Sequence, residues 1–130
     1  DYDYIVDGSD NFKTKLLIND FCFKFKKTLV TGAISKFDGH IFTFNFKNKK
    51  ILCLRCFFQQ SNISEDFLNC ESEGILGTVA GTVGIIQANE ILKKILNIGI
   101  GLDGYILIID LLNLKFRMVK LKKRNNCLCK

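Results

Sequence analysis

Proline and tryptophan are absent from this 130-residue chain, and there is one methionine and one histidine. The single histidine, His40, lies in a strand-like run with no serine or cysteine partner in a recognisable local pattern. It reads as structural or solvent-facing rather than as half of a nucleophile–base pair. No apolar run reaches the eighteen or more residues of a membrane-spanning helix; the longest, Ile75 to Ile86, is broken by glycines and threonines and ends at Gln87. No stretch has the form of a signal peptide, so the six cysteines are read as reduced thiols of a cytoplasmic protein, available for metal or chemistry, and not as a secreted disulfide framework. No internal repeat is present. A glycine-rich phosphate loop of the dinucleotide or Walker kind is also missing. The chain opens without an initiator methionine, Asp1-Tyr2-Asp3-Tyr4 running straight into a strand-like segment, and reads as part of something longer.

What is present suits one domain, residues 1–130, because 48% hydrophobic residues are enough to build a core at this length. The net charge of +6 and the run Lys120-Leu121-Lys122-Lys123-Arg124 would ordinarily raise nucleic acid or an anionic membrane as a partner. The abundance of Lys, Asn, Ile and Phe is instead the bias of an AT-rich genome, and the basic run is taken as a solvated edge, with neither nucleic acid nor membrane as a partner.

Tyr4-Ile5-Val6-Asp7, a turn at Gly8-Ser9-Asp10-Asn11 and an amphipathic stretch from Phe12 to about Phe25 read as strand, turn and helix. Ser9 or Asp10 is expected to cap that helix. Leu16, Leu17, Phe21 and the residues flanking Asp20 would face inward, and Lys13, Lys15, Lys24 and Lys26 outward. Thr28 to Ala33 is a buried strand, parallel to the first through a crossover. Ligands collect beyond the carboxyl ends of such strands, which places Asp7, Asp10 and Gly32 around one crevice. Gly39 to Phe46 alternates as a half-exposed strand, and Gln59 to Leu68 has the polar, aperiodic character of a mobile loop. One long helix runs from about Gly74 to Asn97, capped by Gly99. Its Gly77, Gly81 and Gly84 fall near one face at a cost of about 1 kcal/mol each against alanine, so a close neighbour is expected there. Tyr105–Asp110 and Lys115–Leu121 form an antiparallel hairpin over a four-residue turn.

Three groups carry possible chemistry. Cys53-Leu54-Arg55-Cys56 has the spacing of a zinc-ligand pair, and about seventy residues on Cys127-Leu128-Cys129 offers a second, tighter pair. Together they have the form of a four-thiolate zinc site, the alternative being loose terminal thiols. Asp7 and Asp10 at a strand end can hold Mg²⁺, or serve as a turn aspartate and a cap. Cys70, just ahead of the long helix, is either a thiolate nucleophile favoured by the helix dipole or a small buried hydrophobe.

Several of these motifs occur in one order and spacing. Asp7-Gly8-Ser9-Asp10-Asn11-Phe12 precedes Lys15-Leu16-Leu17-Ile18-Asn19-Asp20. Leu29-Val30-Thr31-Gly32-Ala33, Gly39-His40 and Cys53-Leu54-Arg55-Cys56-Phe57-Phe58 follow. Asn69-Cys70, Glu73-Gly74-Ile75-Leu76-Gly77, Gly81-Thr82-Val83-Gly84, Gln87-Ala88 and Glu90-Ile91-Leu92-Lys93 complete the series. The series resembles the C-terminal half of the adenylation domain of the ThiF/MoeB/HesA family, bacterial relatives of ubiquitin-activating enzymes. The resemblance implies an α/β fold: a partial Rossmann-like sheet with an antiparallel C-terminal extension of strands and one long helix. It implies an ATP-dependent adenylyltransferase that activates the C-terminal glycine of a ubiquitin-like sulfur-carrier protein, in a pathway of the thiamin or molybdopterin type. Asp10 then matches the magnesium ligand, with Asn11 beside it in the nucleotide site. Cys70 matches a cysteine that attacks the acyl-adenylate or joins the carrier in a covalent sulfur linkage. Cys53, Cys56, Cys127 and Cys129 match the zinc ligands. Residues 59–68 match the crossover over the carrier's tail. A homodimer and a sulfurtransferase or cysteine desulfurase partner are implied as well.

The sequence departs from the family at Lys15, where arginine is usual, at the missing proline after the first cysteine pair, and at the short Cys-x-Cys spacing. The family's glycine-rich nucleotide loop and phosphate-binding Arg and Lys belong to the N-terminal half of the domain, so this chain alone is expected not to adenylate. The alternative is a carrier-binding module, or decayed fragment, without catalysis.

Overall fold

The structure is a computed structural model and describes residues 2–48, 52–60 and 74–122. Its elements are β1 (Tyr4–Asp7), α1 (Phe12–Lys24), β2 (Thr28–Ser35), β3 (Asp38–Asn45), α2 (Leu54–Gln60), α3 (Gly77–Leu96), β4 (Tyr105–Asp110) and β5 (Lys115–Lys120). The strands form one mixed sheet in the order β1-β2-β3-β4-β5. β1 and β2 are parallel, with Asp7 opposite Thr31, and the later pairings are antiparallel. The expected parallel pair and C-terminal antiparallel extension are both present, and the hairpin turn occupies residues 111–114 between Asp110 and Lys115.

Helices lie on both faces of the sheet. On one side Cys22 of α1 and the α2 segment pack with Leu29, Phe42, Phe44 and Ile106. On the other, Val83 of α3 packs with Val30, Ile41 and Ile109. Leu29 and Val30 thus divide between two cores, as successive strand residues must. β3 is not the half-exposed strand its alternation predicts: positions 41 to 44 are all buried. It is the central strand of five and is covered on both sides, so its threonine and phenylalanines point into protein either way.

The inward face of α1 also differs. Leu17 and Phe21 are each 56% exposed, whereas Lys15, Asn19 and Cys22 are buried. Polar partners select this face. Asn19 Oδ1 accepts from the Leu54 backbone N–H at 3.0 Å, and Lys15 has the partners described below. The N-cap is Asn11, neither Ser9 nor Asp10; its Oδ1 accepts from the Thr14 N–H at 2.8 Å.

α3 starts at Gly77, three residues later than expected, after Ile75 has bridged to Lys36 at the end of β2. It ends at Asn97, whose left-handed backbone (φ 53°, ψ 47°) serves the capping role assigned from sequence to Gly99. Among the described residues nothing lies within 4 Å of the Cβ positions of Gly77, Gly81 or Gly84. The close packing runs through strand glycines instead. A Cβ on Gly32 would lie 2.7 Å from Val83 Cγ1, and one on Gly39 would lie 2.5 Å from Val83 Cγ2. Val83 seats α3 on the sheet through the two gaps that these glycines leave.

Candidate functional site

β1 stops at Asp7, while β2 continues to Ser35 and α1 begins at Phe12. The step between them opens into a cavity of about 340 Å³. The β1–α1 turn (Gly8, Ser9, Asp10), Gly32 to Ile34 of β2, Phe12 and Lys15 of α1, Phe58 of α2 and the first turns of α3 wall it. Phe12 and Phe58 meet edge to face at 4.5 Å and form its aromatic side. Asp10 and Gly32 share this cavity, as the sequence predicts. Asp7 does not line it and lies behind the wall, 1% exposed.

The Asp7 carboxylate is the centre of a hydrogen-bond network. Oδ1 accepts from the Ser9 N–H at 2.8 Å and the Ser9 hydroxyl at 2.6 Å. Oδ2 accepts from the Thr31 hydroxyl at 2.5 Å and from the Lys15 ammonium at 3.0 Å. Lys15 Nζ also donates to the Gly32 carbonyl at 2.6 Å. Burial acts to raise the Asp7 pKa, but the donors from Ser9, Thr31 and Lys15 outweigh it, and the carboxyl titrates below its ordinary value. Lys15, assigned from sequence to the solvent, is therefore a buried cation paired with a buried anion. Gln87 of α3 completes the frame by donating from Nε2 to the Asp7 carbonyl at 2.9 Å.

Asp10 is exposed on the turn, and its Oδ1 accepts from Asn11 Nδ2 at 3.3 Å. Its neighbour Asn11 faces the α1 amides. Cys53 and Cys56 are both buried, with their sulfurs 3.5 Å apart at the start of α2. This segment is tied to α1 by the Asn19–Leu54 bond and by a two-point contact of Arg55 with Asp20, at 2.7 and 2.5 Å. Cys22 is buried with its pKa pushed up to about 11 by desolvation, so its thiol stays protonated and unreactive. Cys70, Cys127 and Cys129 lie outside the described residues, as does most of the segment 59–68, whose first two residues complete α2. Among the described residues no group of three or more His, Cys, Asp or Glu is placed to hold a metal ion.

Lys15, Phe58 and Gln87 were missed as wall residues. A signal for Lys15 was available, because Lys15, Asn19 and Cys22 recur at helical spacing. Weighing apolar residues alone selects the other face.

The ThiF family matches residues 1–130, the whole chain. The chain belongs to the ThiF family. It is 40% identical over 127 residues to the adenylyltransferase and sulfurtransferase MOCS3 of Drosophila grimshawi, covering 97% of this chain and 28% of that protein. To the probable molybdopterin-synthase adenylyltransferase of Gracilaria tenuistipitata var. liui it is 37% identical over 125 residues, covering 96% of this chain and 34% of that protein. The chain thus spans about a third or less of the length of these relatives. Among solved structures, E. coli MccB with AMPCPP and MccA superposes with a TM-score of 0.76 at 15% identity, covering 98% of this chain and 39% of that one. A heterocyclase in complex with substrate and cofactor gives 0.74 at 16%, covering 97% of this chain and 20% of that one. These likenesses show that the ThiF-family chain has the fold of the matched part of those proteins; among its described residues it is an α/β mixed sheet of five strands with helices on both faces.

Proposed function

We propose that this ThiF-family chain is the C-terminal part of an ATP-dependent adenylyltransferase that activates the C-terminal glycine of a ubiquitin-like sulfur-carrier protein. The observation that carries the reading is the cavity where β2 outruns β1, with an exposed aspartate on its rim and a buried charge network behind it. The relatives named adenylyltransferase support it at 37 to 40% identity.

In this reading Asp10, with Asn11 beside it, holds Mg²⁺ at the rim. The metal, when bound with ATP, supplies charge neutralisation for the phosphates during loss of pyrophosphate. The chain's own residues do the shaping. Asn11 fixes the start of α1, Asp7 fixes the turn that presents Asp10, and Phe12 and Phe58 exclude water from one wall. The carrier's tail enters the cavity, and the Cys70 thiolate attacks the carbonyl of the acyl-adenylate to form a thioester as AMP leaves, or, when Cys70 carries a persulfide sulfur from the sulfurtransferase, that terminal sulfur attacks and forms an acyl disulfide with loss of AMP. The glycine-rich loop and its phosphate-binding cations come from the N-terminal half of the domain.

Zinc is assigned to Cys53, Cys56, Cys127 and Cys129. Tetrahedral thiolates about 2.3 Å from zinc stand about 3.8 Å from one another, and the 3.5 Å between the Cys53 and Cys56 sulfurs fits one edge of that tetrahedron. Metal analysis of protein refolded with and without a chelator checks it: stoichiometric zinc lost together with stability supports the site, and a stable metal-free fold removes it. A homodimer is the proposed assembly, since the outer face of α3 leaves Ile85, Leu92 and Ile95 exposed beside the open Gly77, Gly81 and Gly84. A sulfurtransferase or cysteine desulfurase is the proposed sulfur source. The proposed compartment is the cytoplasm; among the described residues no helix is long and apolar enough to cross a membrane.

The test is ATP–pyrophosphate exchange with a sulfur-carrier protein, the chain being joined to the N-terminal half of a ThiF-family domain. Exchange abolished by Asp10→Ala supports the enzyme. Carrier binding with no exchange leaves a binding module. Replacing Cys70 by Ser is expected to spare exchange and block sulfur transfer, and unchanged transfer removes its role.

A further inference from the structure

Lys15 joins three elements at the back of the cavity. It sits on α1 and is 8% exposed, and it reaches the last residue of β1 and a carbonyl of β2 at the point where β2 runs past β1. We propose that Lys15 is a positioning residue of this site: by holding the Asp7 carboxylate and the Gly32 carbonyl together, it fixes the turn that presents Asp10 to the substrate. The proposal rests on the adenylation reading for its functional consequence and on the geometry alone for its structural one.

Stability by itself does not explain the pair. Desolvating two charges consumes most of their mutual attraction, and well-packed apolar residues commonly serve as well. What an apolar pair does not supply is direction. Asp7 is held on Oδ2 by Lys15 and Thr31, so Oδ1 is left to accept both the N–H and the hydroxyl of Ser9. That double acceptance closes the turn one residue before Asp10. Charge-assisted bonds of this kind are shorter and stronger than neutral ones, and each fixes an orientation. Gly32 lines the cavity itself, so the Lys15–Gly32 bond sets the opposite wall from the same atom.

The experiment compares Lys15→Met, Lys15→Arg and the double variant Asp7→Asn/Lys15→Met in the joined protein. It measures kcat and KM for ATP in pyrophosphate exchange, and amide hydrogen exchange at Ser9 against core amides of β3. Lys15→Met keeps the packing and removes the charge and donors. It is expected to lower kcat about tenfold with KM for ATP little changed, and to speed Ser9 exchange about tenfold while β3 stays protected. Lys15→Arg, with donors and charge retained, is expected to recover most of both. Wild-type kcat and wild-type Ser9 protection in folded Lys15→Met overturn the proposal, as does a folded Lys15→Arg as impaired as Lys15→Met. If Lys15→Met does not fold, the double variant, which has no orphaned charge, gives the folded comparison. There a kcat still reduced about tenfold supports positioning, and a wild-type kcat refutes it. Absence of exchange in the wild-type assembly counts against the adenylation reading alone, because the Ser9 comparison is made without it.

Discussion

Two sets of glycines in this chain should respond to alanine with opposite signs. Gly39 is buried in β3, and its added Cβ would stand 2.5 Å from Val83 Cγ2, well inside van der Waals contact. Val83 has no flexible end to move aside; it is 2% exposed and lies between Gly32 and Gly39. Gly39→Ala therefore either lifts α3 or forces Val83 off its rotamer, an overpacking cost of about 2 kcal/mol. At this chain length that lowers the thermal midpoint by about 8 °C. Gly81→Ala, in a 20-residue helix, meets no described residue within 4 Å and should gain up to about 1 kcal/mol of helix propensity. The assay is urea or thermal unfolding followed by circular dichroism, with Val83→Ala as a second site. Val83→Ala alone is destabilising through its cavity, but combined with Gly39→Ala it should cost less than the sum of the two, because the methyl that clashes is gone. Strict additivity, a neutral Gly39→Ala, or a Gly81→Ala as costly as Gly39→Ala would each refute the packing argument.

Asn11→Ala should cost about 1 kcal/mol through loss of the α1 cap, while Asp10→Ala, which removes no cap, should leave the unfolding midpoint nearly unchanged; equal losses in a denaturant titration would contradict this assignment. Asn19→Ala orphans the buried Leu54 N–H and should cost about 2 kcal/mol, whereas Arg55→Ala removes a contact whose partners are 35% and 40% exposed and should cost under about 1 kcal/mol. The Asp7 pKa is depressed in the folded chain, so its contribution is present above the ordinary value of 3.8 and is lost as pH falls through the folded pKa. The urea midpoint of the wild type should accordingly drop more between pH 6 and pH 3 than that of Asp7→Asn; parallel curves would show that the network leaves this carboxylate unperturbed.

The five strands, α1, α3 and the parallel β1–β2 pair are legible in the sequence because those runs are strongly periodic and punctuated by Gly8, Asn97 and the turn after Asp110, whereas α2 is not, since Leu54–Gln60 reads as a cysteine pair running into a loop. Burial is misread where a polar residue is held by a partner distant in sequence. Lys15 looks like a solvent residue of an amphipathic helix until the Asp7 carboxylate and the Gly32 carbonyl are placed around it. The exposure of β3 was misread because alternation reports on one neighbouring layer and is silent about a second. The cost of the helix glycines is legible in the sequence and suggests a neighbour there, while the glycines that do admit one, Gly32 and Gly39, lie in strands that Val83 approaches from a helix distant in sequence. In the site, Asp10 and Gly32 were legible from their strand ends. The aromatic wall was not, because Phe58 is brought to Phe12 by α1–α2 contacts between residues distant in sequence, Asn19 with Leu54 and Asp20 with Arg55.

The central claim is that the turn after β1 presents Asp10 to a nucleotide-dependent reaction on the tail of a carrier protein. It is tested most directly by carrier-dependent ATP–pyrophosphate exchange in the joined protein, wild type against Asp10→Ala, with unfolding midpoints measured on the same samples. The account predicts exchange in the wild type and its loss, by about a hundredfold or more, in an Asp10→Ala variant of unchanged stability. Carrier-dependent exchange that survives Asp10→Ala would contradict it.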